Sequence, residues 1–269
     1  MVTPEQISRY IQTIPAVPSV VRTAMEHARS GDLVKAARYA DEDPALRLYL
    51  KTLINRPAYG LRNEISQVSQ IFSILGTSGT CQVLGAYLLN LIAPQQWSLF
   101  ALSPNAFYDL QASLGKRWEK ILIHLGLQNN DTQSAVSLLP AAIIVCDALF
   151  SAHKNKVNEL RGVRALDYNT ILYRLSGQSL FDLCSEIARK WELPPLAERI
   201  VHASSGLDPD ITGDERELAQ WLHLLFFYEL SQAPYVAAGL NEFLDFQIDF
   251  AQEIYPSFIQ TVGYDESDR

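Results

Sequence analysis

Asp43-Pro-Ala-Leu-Arg-Leu-Tyr-Leu-Lys-Thr-Leu-Ile-Asn-Arg-Pro-Ala-Tyr-Gly60 reads as one helix with its own start and stop. Asp43 carries a short oxygen-bearing side chain that can accept from the free amides of a first helical turn, and Pro44 suits the first helical position. Leu46, Leu50, Leu53 and Ile54 recur at helical spacing and make one inner face. Arg56 and Pro57 through Gly60 then end the element in a tight turn. This stretch predicts an all-α fold.

The same grammar extends outward. Residues 4–13 form a short lead-in. Pro18 opens a helix to about Ser30 with Gly31 as its stop, and Val20, Val21, Ala24, Met25 and Ala28 share a face. Asp32 caps a helix that turns Leu33, Ala36, Ala37 and Ala40 inward. Ser66 is expected to cap a helix to Leu75, closed by Gly76. Residues 77–93 are almost wholly apolar and are expected at the centre of a bundle. A loop follows over 94–104, in which Trp97, Leu99 and Phe100 call for burial. Further helices are predicted over 105–125, 132–153, 168–175, 179–191, 195–204, 214–232 and 241–262. The stretch 154–167 reads as a polar region and 265–269 as a frayed polar tail. In the last helix Leu240, Phe243, Leu244, Phe250, Ala251, Ile254 and Phe258 make an apolar stripe, opposite Glu242, Asp245, Asp249 and Glu253.

Composition narrows the function. The 269 residues are 48% hydrophobic and 19% charged, as in a globular protein rather than a disordered one. A net charge of −8 repels phosphate backbones, so nucleic-acid binding is not expected. The densest basic stretch, Arg161 to Arg164, reads as a solvated loop. Cys81, Cys146 and Cys184 stand far apart in apolar surroundings with no Cys-x-x-Cys pair, which fits reduced core thiols and a cytoplasmic protein. Residues 1–10 lack the apolar region of a signal peptide. Residues 83–93 are too short to span a bilayer, and 134–150 are interrupted by Pro140 and Asp147, so no membrane segment is expected.

Common catalytic motifs are missing from the sequence. Leu75-Gly-Thr-Ser-Gly-Thr80 lacks the lysine of a phosphate-binding loop, and neither Gly-x-Ser-x-Gly nor His-Glu-x-x-His is present. None of His27, His124, His153, His202 and His223 neighbours an aspartate in sequence, and none lies three or four residues from another histidine or a cysteine. No metal or other cofactor is expected. Asp214, Glu215 and Glu217 suit the positive end of a helix dipole.

The first half resembles the HDOD family, the HD-related output domains. Ile14-Pro-Ala-Val-Pro18, Asp43-Pro-Ala-Leu46, Asn55-Arg-Pro-Ala-Tyr-Gly60 and the helix from Ile65 to Leu75-Gly76 occur in that family's order and spacing. The exit Trp191-Glu-Leu-Pro194 is similar too, and the resemblance covers about residues 14–204. It implies an all-α, HD-like bundle in two subdomains, residues 1–93 and 104–269, joined by 94–103. Motif positions Asp43, Pro44, Asn55, Tyr59, Gly60, Gly76 and Trp191 are then structural or face a partner. Enzymatic relatives, the HD phosphohydrolases, hold metals with a His-Asp pair. The matching segment here is Ala141-Ala-Ile-Ile-Val-Cys146, so Ile143 and Ile144 replace the pair, and Leu180 stands at a later histidine position.

The resemblance therefore implies a non-catalytic bacterial signalling or scaffold module. Its partner would be a two-component or cyclic-dinucleotide signalling protein acting in trans, docked in the groove between subdomains. Two alternatives remain. One is a divergent phosphohydrolase with ligands rebuilt from Asp147, His124, His202 or Glu186. The other is a nucleotide sensor in which Arg47 or Arg62 contacts phosphate.

Overall fold

The structure, a computed structural model, describes residues 2–263 apart from Ala165, Pro209 and Glu242, with side chains omitted at Asn130 and Arg164. The tail expected over 265–269 lies outside the described residues, as does Glu242. Side-chain oxygens start many of the helices. Thr3 precedes α1 (Pro4–Thr13) and forms a reciprocal capping box with Gln6. α2 (Ser19–Arg29) follows Pro18. Asp32 accepts from the Lys35 amide at 3.1 Å to open α3 (Leu33–Glu42). Asp43 accepts from the amides of Ala45 and Leu46 at 2.8 and 3.1 Å, and α4 (Pro44–Ile54) follows. A short 3-10 turn, Pro57–Tyr59, ends in Gly60.

α5 (Val68–Asn90) begins after Gln67, not at Ser66. Gly76 interrupts it where the sequence placed a helix stop: its backbone there is non-helical, at φ 64° and ψ −173°, a conformation essentially confined to glycine, and the two helical stretches meet across the bend.

The second half continues with α6 (Pro104–Leu125), capped by Ser103, and α7 (Asn130–Leu138), capped by Asn129. Then come α8 (Ala141–Phe150), α9 (Lys154–Arg164), α10 (Tyr168–Ser176) and α11 (Leu180–Lys190). The series ends with α12 (Pro195–Ala203), α13 (Gly213–Leu230), α14 (Ala233–Ala237), α15 (Ile248–Ala251) and α16 (Tyr255–Val262). Among the described residues there is no strand.

Three expectations about this half are corrected. The helix predicted over 132–153 is broken between α7 and α8, where Pro140 has no amide to continue the ladder. The polar stretch 154–167 is mostly helical, because Val157 is buried and Leu160 packs on the core at helical spacing. Arg161 is accordingly not in a solvated loop: its guanidinium lies 4.2 Å from the Tyr168 ring and donates to the phenol oxygen at 3.0 Å. The long helix predicted over 241–262 is two short ones, since Pro256 is tolerated only in a first turn. The apolar stripe still finds the core: Leu240, Phe243, Phe250 and Phe258 are all buried, partly from irregular backbone.

One continuous core runs from Val2 to Val262, and α5 packs against α2, α3, α4 and α7 within it. Cys81, Cys146 and Cys184 are free and buried there. The helical runs Val68–Asn90 and Asp131–Val163 are long and apolar enough to cross a membrane, yet 67% and 83% of their most apolar windows are buried inside the fold. The loop over 94–103 is fixed by a buried carboxylate. Asp147 accepts from the amides of Ser98 and Leu99 at 3.0 and 2.6 Å, and Lys154 donates to the Ser98 carbonyl at 2.8 Å.

Alanine at Gly76 would force a side chain into this backbone conformation. G76A is expected to cost about 1–3 kcal/mol, read as a shift of the urea midpoint at unchanged slope; an unshifted midpoint would mean that α5 is not bent there.

Candidate functional site

The turn after α4 is built around Asn55. Its Nδ2 donates to the carbonyls of Lys51 and Ile65 at 2.8 and 2.9 Å, and its Oδ1 accepts from the Ile65 amide at 2.9 Å. One amide side chain thus closes a ten-residue loop, with Gly60 supplying the left-handed step at φ 60°. Arg56 clamps the turn to α6 through Asn105 at 2.8 Å and Asp109 at 3.5 Å. Tyr59 lies beneath the Lys116 ammonium, 5.3 Å from the ring centre. A groove of about 560 Å³ opens between this turn, α6 and the α13–α14 corner. Its charges are matched internally: Arg117 pairs with buried Glu229, and Lys116 with Glu119 at 3.5 Å.

Trp191 ties the end of α11 to the chain's beginning. Its indole N–H donates to the Pro15 carbonyl at 3.0 Å, and the neighbouring Lys190 ammonium donates to the carbonyls of Ile11 and Gln12 at 2.7 and 3.1 Å. Asp43 and Pro44 are the start of α4, and Gly76 is the bend in α5.

Ile143 and Ile144 lie on α8 at 0% and 1% exposure, and Leu180 on α11 is at 0%. The residues weighed as rebuilt metal ligands have separate partners. Asp147 holds the 94–103 loop. Glu186 accepts from Gln178 at 2.9 Å. His124 packs against the Trp221 ring at 5.4 Å. Among the described residues, no group of three or more His, Cys, Asp or Glu side chains is placed to hold a metal ion. Arg47 pairs with Asp41 at 3.6 Å, Arg62 is exposed, and neither lines one of the larger clefts.

His202 occupies a second cleft, of about 490 Å³, between α11, α12 and the chain leading into α13. Its Nε2 is 3.0 Å from an Asp182 carboxylate oxygen, and its Nδ1 is 3.8 Å from Asp208. Burial pushes the Asp182 carboxyl up, but hydrogen bonds from Ser179 and His202 more than reverse that and hold it below the usual range. Arg199 grips Glu215 through two nitrogens at 2.8 and 3.0 Å, which lowers the Glu215 carboxyl as well. Sequence reasoning missed this cluster because Asp182 is 20 residues from His202. The available signal was the spacing Asp182, Ser185, Arg189, which puts three polar side chains on one face of α11.

His223 is buried in an aromatic box of Phe227, Phe246 and Phe250. Its Nδ1 meets the Ser204 carbonyl at 2.8 Å, and its Nε2 accepts from the Gln247 amide at 3.2 Å. Burial pushes this imidazole down to about 4, against a smaller upward pull from the Ser204 carbonyl. The ring is neutral at pH 7 and staples the irregular 240s segment to α12 and α13.

The described residues form an all-helical bundle in which an asparagine closes the turn after α4. The HDOD domain family model matches residues 11–205, and the chain belongs to that family. A comparison with curated proteins finds no match. Among solved structures, the chain is similar to an HDOD domain protein with unknown function from Geobacter sulfurreducens. The two share 13% identity, with 97% of this chain and 96% of that chain covered and a TM-score of 0.63. At that identity the likeness concerns the fold.

Two outcomes test this description. Removing the Asn55 amide leaves three backbone groups without their partner, so N55A is expected to lower stability by about 2 kcal/mol in urea denaturation. His223 takes up a proton more readily unfolded than folded, so stability falls as pH drops from 6.5 towards 4. The loss is about 3 kcal/mol, and thermal melts across that window should show it. An H223Q variant should be less stable at pH 7 but flatter over the same window, and an equally steep profile would assign the slope to other groups.

Proposed function

We propose that this chain is a non-catalytic module that acts through contacts with a protein partner. The observation that carries the reading is the burial of Ile143 and Ile144 at the positions matching the His-Asp pair of HD phosphohydrolases. Hydrocarbon side chains offer no oxygen or nitrogen to a hard cation, and a sealed position admits no water to be activated. The rebuilt-ligand alternative draws no support from Asp147, Glu186 and His124, each of which is engaged elsewhere. The nucleotide-sensor alternative rests on Arg47 and Arg62, and Arg47 is already paired with Asp41.

The partner in this reading is a bacterial signalling protein in trans, of the two-component or cyclic-dinucleotide type, in the cytoplasm. A chain used for recognition needs a stable scaffold with chemistry left over at its surface. The groove beneath the Asn55 turn has the Arg117–Glu229 and Lys116–Glu119 charges paired within itself.

Crosslinked capture with the whole chain as bait tests the reading. Recovery of a sensor kinase, a response regulator or a cyclic-dinucleotide enzyme is expected; chaperones alone would count against it. In parallel, turnover of phosphomonoesters and phosphodiesters with magnesium or manganese should stay at the blank. Turnover that H202A or D182A abolishes would overturn the non-catalytic assignment.

A further inference from the structure

The cleft between α11 and α12 is lined by five carboxylates, Asp182, Glu198, Asp208, Asp210 and Glu215, against Arg189, Arg199 and His202. Arg189 is matched by Glu198 at 3.2 Å, Arg199 by Glu215, and His202 by Asp182. Two carboxylates remain. Asp208 reaches only the far nitrogen of His202, at 3.8 Å, and Asp210 has no cation partner among the described residues. Asp208 also accepts from the Asp210 amide at 3.1 Å, which sets the two acidic residues side by side at the rim.

A second observation is independent of this charge. Ser185 lines the same cleft at 4% exposure, and its hydroxyl oxygen has no hydrogen-bond partner. Buried hydroxyls are normally paired, with protein or with a ligand. A recess with an unpaired hydroxyl inside and surplus carboxylates at its mouth suits a long side chain carrying several donors and a positive charge. Lysine and arginine have that form: an apolar stem and a cationic head. A phosphate or other anion would meet the surplus carboxylates and be repelled.

We infer that this cleft receives a lysine or arginine side chain from a basic segment of the partner protein, with Asp208 and Asp210 facing its charge and Ser185 accepting a hydrogen bond from it. The inference rests on the reading of the chain as an interaction module and names the chemistry of what it binds. The volume of about 490 Å³ accommodates one such side chain with flanking backbone.

The test uses the whole chain and a fluorescein-labelled Arg-Gly-Ser repeat peptide, with a Glu-Gly-Ser peptide as control, followed by anisotropy at moderate salt. The arginine peptide should bind and the glutamate peptide should not. D208N/D210N should weaken binding about tenfold, and S185A about threefold, with melting temperatures showing that both variants fold. D249N/E253Q, which removes two charges elsewhere, should leave binding unchanged. Equal weakening by that distal pair would reduce the effect to general attraction by the net charge and overturn the proposal, as would no binding at all. Captured partners separate the two readings. A partner retained undiminished by D208N/D210N removes this cleft and leaves the interaction module standing. Peptide binding that depends on Asp208 and Asp210, with no protein ever captured, supports the cleft and sinks the module.

Discussion

α8 is enclosed on nearly every side. Ala141 through Asp147, Leu149 and Phe150 are buried, and only Ala148 reaches solvent. A helix in that position can keep a polar group only where partners are built for it. Asp147 meets the condition through two amides of the 94–103 loop, and in doing so fixes the path of the chain between its two halves. Ile143 and Ile144, at 0% and 1% exposure, complete the same enclosed helix with hydrocarbon.

Charge is handled differently on the two sides of α6 and α11. Beneath the Asn55 turn, Arg117, Glu229 and Ser113 bond to one another in a single network. Around His202 the pairs stop short of closure. A surface that completes its own pairs is stable and uninformative to a partner; one left short of a cation carries a preference.

Much of this fold was legible because capping chemistry is local. Asp32 and Asp43 act on amides two or three residues away, and their roles follow from adjacency in the chain. Asn55 was readable as a turn residue, although its partner Ile65 was not, since ten residues separate them. Prolines were the weak point. Pro140 and Pro256 break helices that apolar periodicity alone would carry straight through, and the stripe of Phe243, Phe250 and Phe258 kept its burial while losing its helix. Residues 154–164 looked too polar for a helix because only Val157 and Leu160 anchor it. The His202 cleft was hidden for a different reason. Its members come from α11, α12 and the chain beyond, and their convergence depends on how two helices lie together, which periodicity does not specify.

The clasp between the chain's opening segment and the end of α11 bears on how the protein is made. Ile11, Gln12 and Pro15 receive their donors from Lys190 and Trp191, some 176 to 179 residues later. During synthesis the opening segment leaves the ribosome without the residues that hold it, for on the order of 10 seconds at ordinary elongation rates. Ile7 and Ile14, both buried in the finished fold, have to wait through that interval. Residues 11–15 therefore cannot be clasped until residues 190 and 191 have been made.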